Sequence, residues 1–266
     1  MALAQIGDNV LDYERSGEGP PLLAIMGMSG TLLHWGEPFL APLRERFEVI
    51  VYDHRGVGAS SRLEGAITIR DMAADAAGLL RALGVERAHV LGISMGGMVA
   101  QELVLSQPAL VETLTLGCTY CGGPQSSYGS PQREDLYEAM RSGDRERALR
   151  AAFEINLSPQ AAADPELWRR FHDIAEQRAV ALPVIMSQLG AALGHDTSAR
   201  LPGVHAPTLV IHGSADEMIP VQNARVIASR IPGAQLEIFD GVGHLFFWEL
   251  PERSAELVCE HALAPA

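Results

Sequence analysis

The sequence AHVLGISMGGMVA occupies residues 88–100 and changes character in its middle. It begins as an apolar, strand-like run and ends as the start of a helix, with the pentapeptide GISMG of residues 92–96 at the turn. A strand that turns this sharply into a helix crowds the side chains two positions on either side, and glycine removes that crowding. The pattern therefore predicts a nucleophile elbow, in which the Ser94 hydroxyl projects beside the unpaired N–H groups of the helix start.

Apolar runs alternate with helical patterns along most of the chain. Unbroken apolar strands are buried on both faces, so this alternation predicts a mostly parallel sheet flanked by helices, an α/β fold. Helical patterns run over 39–47, 72–83, 95–106, 221–231 and 251–263. The predicted strands are 10–14, 21–26, 47–52, 88–93, 111–116, 208–212 and 235–239.

Residues 119–201 interrupt this alternation. They contain no convincing strand pattern, and helical patterns run over 135–140, 145–153, 165–178 and 183–193. We therefore predict one α/β core, formed by residues 1–118 and 202–266, with an inserted helical cap at 119–201. A chain of 266 residues is long enough for a single domain of this kind.

The charge balance argues against two classes of partner. The chain has 33 acidic and 20 basic residues, a net charge of −13, and its basic residues form no block. Nucleic acids and anionic membranes are therefore not expected as partners. The first ten residues include Asp8 and no apolar run typical of a signal peptide or a membrane span. The sequence predicts a cytoplasmic protein and leaves homo-oligomerisation open.

The composition also limits the chemistry. All 20 basic residues are arginine, which excludes Schiff-base chemistry on a lysine. The three cysteines, Cys118, Cys121 and Cys259, do not make a disulfide framework. Cys118 and Cys121 form a Cys-x-x-Cys pair, but no further ligands at zinc-site spacing accompany it, so both are expected to be small buried residues. We predict no metal site and no cofactor.

A serine nucleophile needs a base within hydrogen-bond reach and a third group that orients the base. His244 follows the strand 235–239 in a glycine-bracketed loop, at the carboxyl edge where ligands bind in open α/β sheets. Asp216 follows the strand 208–212 and reaches the same edge. Asp240 and Glu217 are the rival acids, although Asp240 at a strand end is more typical of a turn. The sequence predicts a triad of Ser94, His244 and Asp216.

The order serine, aspartate, histidine is that of the α/β-hydrolase fold. The chain resembles small α/β-hydrolases from its first predicted strand to its last helix, and in particular serine esterases and lactonases such as the 3-oxoadipate enol-lactonases. The matching segments are the elbow, the loop after residue 26, the turn 53–60, residues 213–216 and residues 243–252. We interpret the turn 53–60 as shaping the fold rather than as catalytic.

The resemblance identifies the loop after strand 21–26 as half of an oxyanion hole. Most relatives begin this loop with His-Gly, whereas this chain reads Met26-Gly27-Met28-Ser29-Gly30, as in aclacinomycin methylesterase-like relatives. Because the hole uses backbone N–H groups, the missing histidine removes no donor. The resemblance implies Met28 and Met95 as the two donors, with Ser29 as the alternative to Met28.

The predicted substrate pocket lies between the cap and the core. Trp35 occupies a position where many relatives carry a tryptophan near the pocket, and Trp168 and Met186 belong to apolar stripes of the cap helices. Such side chains pack more often than they bind ligands. A partly apolar cleft nevertheless favours a small-molecule ester or lactone of small or medium size.

The predicted activity is that of a carboxylic ester hydrolase, a serine esterase or lactonase that forms an acyl-enzyme intermediate. The same triad would serve a carbon–carbon bond hydrolase acting on a diketone, or a cofactor-free perhydrolase. A ligand receptor of this fold with slow turnover is the alternative outside enzymes. Haloalkane dehalogenases and epoxide hydrolases resemble this fold but carry aspartate at the position of Ser94, which argues against both.

Overall fold

A computed structural model describes residues 1–127, 129 and 132–264, and its centre is an eight-stranded sheet in the order β1-β2-β4-β3-β5-β6-β7-β8. The strands β3 to β8 run parallel to one another, whereas β2 pairs antiparallel with β1 and β4. The strands are β1 (Ala2–Ile6), β2 (Asn9–Ser16), β3 (Pro21–Ile25), β4 (Glu48–Tyr52), β5 (Ala88–Ile93), β6 (Val111–Gly117), β7 (Thr208–Gly213) and β8 (Gln235–Phe239).

Helices cover both faces of this sheet, and each face has its own apolar cluster. The central strands β5 and β7 are buried along their whole length, as a sheet covered on both faces requires. The helices are α1 (Glu37–Arg44), α2 (Ile69–Ala82), α3 (Met95–Ser106), α4 (Gln132–Arg141), α5 (Arg145–Ile155), α6 (Pro159–Ala162), α7 (Pro165–Gln177), α8 (Leu182–Leu193), α9 (Gln222–Arg230), α10 (Phe246–Glu249) and α11 (Pro251–Ala262).

The predicted mostly parallel α/β sheet is confirmed, with one strand more than the sequence indicated. All seven predicted strands form, and β1 adds an antiparallel edge beside β2. Its short sequence ALAQI leaves Leu3 exposed, so the apolar pattern there is too weak to indicate a strand. The short helices α6 and α10, each of four residues, were likewise not predicted.

Five helices, α4 to α8, lie between β6 and β7, in the segment predicted as a cap. Within the described part of that segment no strand occurs. Tyr128, Ser130 and Pro131 of the predicted cap, and Pro265 and Ala266 at the end of the predicted core, lie outside the described residues. The division into cap and core at 119 and 201 stays a prediction.

Both ends of the 119–201 segment are hydrogen-bonded to the buried Gln101 of α3. Its Nε2 donates to the Tyr120 carbonyl at 3.1 Å, and its Oε1 accepts from the Thr197 hydroxyl at 2.6 Å. The Thr197 N–H donates in turn to the Cys121 carbonyl at 2.8 Å. The helix α3, which follows Ser94, is therefore hydrogen-bonded to the chain both where it enters this segment and where it leaves it.

Among the described residues, no helix combines the length and the apolar character that crossing a bilayer would require.

Candidate active site

Ser94 has the strained backbone that the elbow pattern predicts. Its φ of 57° and ψ of −122° are rarely adopted by residues other than glycine. A Cβ on Gly96 would lie 2.0 Å from the Ile25 carbonyl oxygen, and one on Gly92 would lie 2.3 Å from the Gly96 carbonyl oxygen. Both glycines of the pentapeptide are therefore required, because only hydrogen fits at those positions.

The elbow lies between the end of β6 and the loop after β3. The Ser94 N–H donates to the Gly117 carbonyl at 2.8 Å, and the Thr119 hydroxyl donates to the Ser94 carbonyl at 2.7 Å. Gly27 packs against the serine side chain so closely that a Cβ there would lie 3.0 Å from the Ser94 Cβ. The Ser94 side chain thus adjoins the predicted oxyanion loop.

Asp216 and His244 form a direct, buried pair. The distance from His244 Nδ1 to Asp216 Oδ2 is 2.7 Å, and the other carboxylate oxygen accepts the N–H groups of Met218 and Ile219 at 2.9 and 2.8 Å. Because an ionised carboxylate only accepts, Nδ1 carries the proton and Nε2 is free to act as a base.

The electrostatics of this pair favour the ionised carboxylate. Burial by itself would raise the pKa of Asp216. The charge of His244 and the hydrogen bonds from His212 and His244 outweigh that effect and hold the pKa well below its usual range. Asp216 is therefore a carboxylate at neutral pH and stabilises a positive charge on His244.

The predicted nucleophile and the predicted base lie at the carboxyl edge of the sheet, but no hydrogen bond between Ser94 Oγ and His244 is found among the described residues. Catalytic hydrogen bonds are often long in unliganded enzymes and shorten when the substrate binds. The rival acid Asp240 is exposed and accepts a hydrogen bond from the Ser214 hydroxyl at 3.0 Å, as expected of a turn residue. The other rival acid, Glu217, is exposed.

The loop after β3 leaves Met28 as the available donor. The Ser29 N–H donates to the Gln188 side-chain carbonyl of α8 at 2.9 Å, so this donor is already used. The N–H groups of Met28 and Met95 have no acceptor within the described part of the chain. Ser29 also has a positive φ of 57°, so the loop is strained where Gln188 holds it.

The turn that we interpreted as shaping the fold also holds this loop. The His54 Nε2 donates to the Met26 carbonyl at 2.9 Å, and the Leu32 N–H donates to Asp53 Oδ1 at 2.6 Å. Burial lowers the pKa of His54 to about 4, so its ring is neutral at pH 7. Asp53 also forms an ion pair with Arg178, at the end of α7. The loop is thus held by the turn after β4 and by α8.

The three residues predicted for the pocket occupy different environments. Trp35 is fully buried and stacks on Phe39 with ring centroids 5.6 Å apart, so it packs in the core and does not line a pocket. Met186 faces outward with 52% of its surface exposed, because the buried face of α8 carries Gln188 instead. Trp168 is half-buried and packs edge-on against Phe153. The burial of Trp35 corrects the pocket prediction for that residue, whereas Trp168 and Met186 stay predictions.

His212 and Cys118 also contact the acid, and the sequence did not point to either of them. His212 Nε2 lies 3.0 Å from Asp216 Oδ2, and the Cys118 sulfur lies within 4.8 Å of the same carboxylate. The cysteines are free thiols, as predicted, and burial raises the pKa of Cys118 well above its usual value. The potential ligand atoms of Cys118, His212 and Asp216 lie within 4.8 Å of one another, as in a metal site. Hydrogen bonds already occupy the carboxylate and His212 Nε2, so these residues fit a hydrogen-bonded cluster better than a metal site.

Glu249 connects the histidine loop with the 119–201 segment. Its carboxylate accepts from the Gly243 N–H at 2.9 Å, from the Ser158 N–H at 2.8 Å and from the Ser158 hydroxyl at 2.6 Å. The Leu245 N–H donates to the Asn156 carbonyl at 2.8 Å. The residues on both sides of His244 are therefore anchored to the segment that follows α5.

Comparisons with known proteins agree with this architecture. A family model described as the alpha/beta hydrolase fold matches residues 20–251. A protein of Azorhizobium caulinodans assigned as the carbamate hydrolase RutD is 30% identical over 97% of each chain. A poly(3-hydroxyalkanoate) depolymerase of Ectopseudomonas oleovorans is 31% identical over 90% of this chain and 82% of its own. The solved esterase of Exiguobacterium antarcticum is 26% identical over 98% of each chain, with a TM-score of 0.83.

Proposed function

The chain belongs to the α/β hydrolase fold family, and on this basis we propose that it is a serine hydrolase that cleaves a carboxylic ester or a lactone. The observation that carries the proposal is the pairing of His244 with the ionised Asp216, 2.7 Å apart, at the edge of the sheet where the strained Ser94 begins α3. A serine hydroxyl is a weak nucleophile at neutral pH, and a base of this kind activates it by taking its proton.

The first step is acylation. Ser94 Oγ attacks the carbonyl carbon of the substrate while His244 Nε2 takes the hydroxyl proton, and Asp216 stabilises the resulting imidazolium. The N–H groups of Met28 and Met95 donate to the oxyanion that forms. When this intermediate collapses, the bond to the leaving oxygen breaks, and that oxygen takes the proton from His244. In a lactone the leaving alcohol remains attached to the acyl group.

The second step is hydrolysis of the acyl-enzyme. A water molecule gives a proton to His244 Nε2 and attacks the acyl carbon, which forms the second oxyanion at the same two donors. Its collapse releases the carboxylic acid and returns the proton to Ser94. The products are an acid and an alcohol, or one hydroxy acid from a lactone, and the side chains of the triad act together with the two backbone N–H groups.

Two observations support an ester or lactone as the substrate. The free donors at Met28 and Met95 fit the single oxyanion of acyl transfer, and α8 holds the donor loop through Gln188. In addition, one structural relative at 26% identity is named an esterase. We propose that residues 119–201 form a cap that covers this site, that the substrate is a small molecule, and that the protein acts in the cytoplasm.

The proposal can be tested by labelling and by turnover. A fluorophosphonate should modify the protein stoichiometrically, with the adduct on Ser94. Aryl esters of increasing acyl length, a lactone and a diketone should then be compared, with the ester or the lactone as the best substrate. A label on another residue, or no label, would contradict the nucleophile assignment. Labelling with turnover of the diketone alone would indicate a carbon–carbon bond hydrolase, and labelling without any turnover would indicate a receptor.

The substitution Gln188→Leu should reduce kcat/KM by about tenfold to a hundredfold, because it leaves the half-buried Ser29 N–H without its acceptor and frees the strained loop to move. Met186→Leu is the matched control on the same helix, since Met186 is exposed and should leave the rate unchanged. Steady-state kinetics on the best ester will measure both. Equal rates for the two variants would show that the hydrogen bond from Ser29 has no catalytic effect.

A further inference from the structure

His212 lies at the end of β7 and is fully buried. Its Nε2 is 3.0 Å from Asp216 Oδ2, the oxygen that also accepts from His244 Nδ1. The same Nε2 lies 2.8 Å from the Ile219 carbonyl oxygen. Two histidines therefore share one oxygen of the carboxylate that orients the base.

The hydrogen bonds of His212 determine which nitrogen carries its proton. The Ile219 carbonyl only accepts, so Nε2 must donate to it, and Oδ2 of the ionised Asp216 lies 3.0 Å from the same nitrogen. The other nitrogen, Nδ1, is buried and has no partner within the described residues. His212 is thus a donor at Nε2, beside the carboxylate oxygen that His244 also contacts.

The other polar and charged groups near Asp216 are two backbone N–H groups, the Cys118 thiol and, farther away, the Glu249 carboxylate. Asp216 Oδ1 accepts the two backbone N–H groups, and the Cys118 thiol, whose pKa burial raises, stays protonated beside it. The charge of Glu249 of α10 also raises the pKa of Cys118, and its carboxylate accepts hydrogen bonds from Gly243 and Ser158. No arginine side chain of the described residues forms an ion pair with Asp216. His212 and His244 are its only imidazole partners in that part of the chain.

We propose that His212 is a positioning residue that holds Oδ2 of Asp216 toward His244 and shares the negative charge of that oxygen. The proposal rests on the proposed serine hydrolase function. Without His212, Oδ2 would keep only the hydrogen bond from His244, whereas the His212 Nε2 group at 3.0 Å restrains that oxygen from a second side. Because two donors divide the charge of Oδ2, loss of one strengthens the attraction between Asp216 and the imidazolium of His244.

Two consequences follow for the enzyme that lacks the His212 donor. The looser carboxylate should lower the plateau of kcat/KM by about tenfold to a hundredfold. The stronger attraction for imidazolium should move the acid limb of the pH–rate profile, where His244 must be neutral, upward by about 0.5 to 1 pH unit. Loss of a residue that only fills space would lower the plateau of kcat/KM through reduced stability. It would leave the pH of the acid limb unchanged.

The test uses His212→Phe, which keeps the ring volume and removes the donor, and His212→Gln, whose amide can donate from nearly the same place. His89→Phe is the matched control, because His89 is a buried histidine of β5 whose partner is the Thr113 hydroxyl. We expect the upward shift of the acid limb in His212→Phe, its reversal in His212→Gln, and no shift in His89→Phe. Equal profiles for wild type and His212→Phe would overturn the proposal.

Nuclear magnetic resonance of the histidine rings provides a measurement that needs neither turnover nor a folded phenylalanine variant. In the wild-type protein at pH 8, His212 should carry its proton on Nε2, and this resonance should move as His244 titrates. A proton on Nδ1, or a His212 resonance that ignores the His244 titration, would refute the proposal. If the wild-type protein shows this coupling but Ser94 takes no fluorophosphonate, the serine hydrolase function fails and the pairing of the two histidines stands.

Discussion

Replacement of Ser94 by alanine is expected to lower kcat on the best ester by about 10⁴-fold to 10⁶-fold. The variant loses the nucleophile, and the loss is large because His244 and the oxyanion donors cannot act on a water molecule that is not held in place. The structure argues that the fold tolerates this change. The backbone strain at φ 57° belongs to the turn, and alanine keeps the same Cβ while it removes only the hydroxyl.

Steady-state kinetics with urea unfolding will separate these effects. The Ser94→Ala variant should unfold at a urea concentration close to that of the wild type. Ser106→Ala is the matched control, because Ser106 ends the same helix and its hydroxyl donates to the Glu102 carbonyl, away from the elbow. A Ser94→Ala variant within tenfold of the wild-type kcat would show that another group is the nucleophile.

Replacement of His244 by alanine is expected to cost about as much as loss of the nucleophile, whereas Asp216→Asn should retain a higher residual rate. Members of a triad act as one unit, so the double variant Ser94→Ala, His244→Ala should be no slower than either single variant. In Asp216→Asn the amide still fills the site, but it no longer stabilises the imidazolium, and the expected loss is about 10³-fold to 10⁴-fold.

The rival acid provides the control for this prediction. Asp240 is exposed and bonds to the Ser214 hydroxyl, so Asp240→Asn should keep the wild-type rate to within a fewfold. The pH–rate profile of each variant will show whether the base is retained. If Asp240→Asn were slower than Asp216→Asn, the acid would be misassigned, despite the 2.7 Å distance between Asp216 and His244.

The contacts of the predicted oxyanion loop could not be predicted from local sequence patterns. The turn 53–60 reads as a tight bend rich in glycine, and that description is correct but incomplete. Asp53 and His54 also hold the loop after β3 through Leu32 and Met26. These contacts join segments more than 20 residues apart, and no local pattern indicates which distant backbone group a buried polar side chain will meet.

The pocket prediction for Trp35 was wrong for a related reason. Trp35 and Met186 were chosen because large apolar side chains recur at helical spacing or near a family position. Helical spacing identifies a face, but only packing decides which face is covered. In α8 the buried face carries Gln188, and Met186 is exposed on the other side.

The sequence by itself determined the sheet, the elbow and the order of the three predicted catalytic residues. The sheet and part of the elbow depend on contacts between neighbours in the chain, since strand periodicity and the collision of a Gly92 Cβ with the Gly96 carbonyl involve residues a few positions apart. The elbow pattern also carries Gly96, although the group that requires it is the distant Ile25 carbonyl. The tertiary structure alone decided that the Gln188 side chain accepts the hydrogen bond from the Ser29 N–H. It also decided that His212 and His244 both contact Oδ2 of Asp216. Every position of β7 is buried, so its sequence pattern does not distinguish one side chain from another. Which of them contacts the Asp216 carboxylate depends on how β7 packs against the loop of His244.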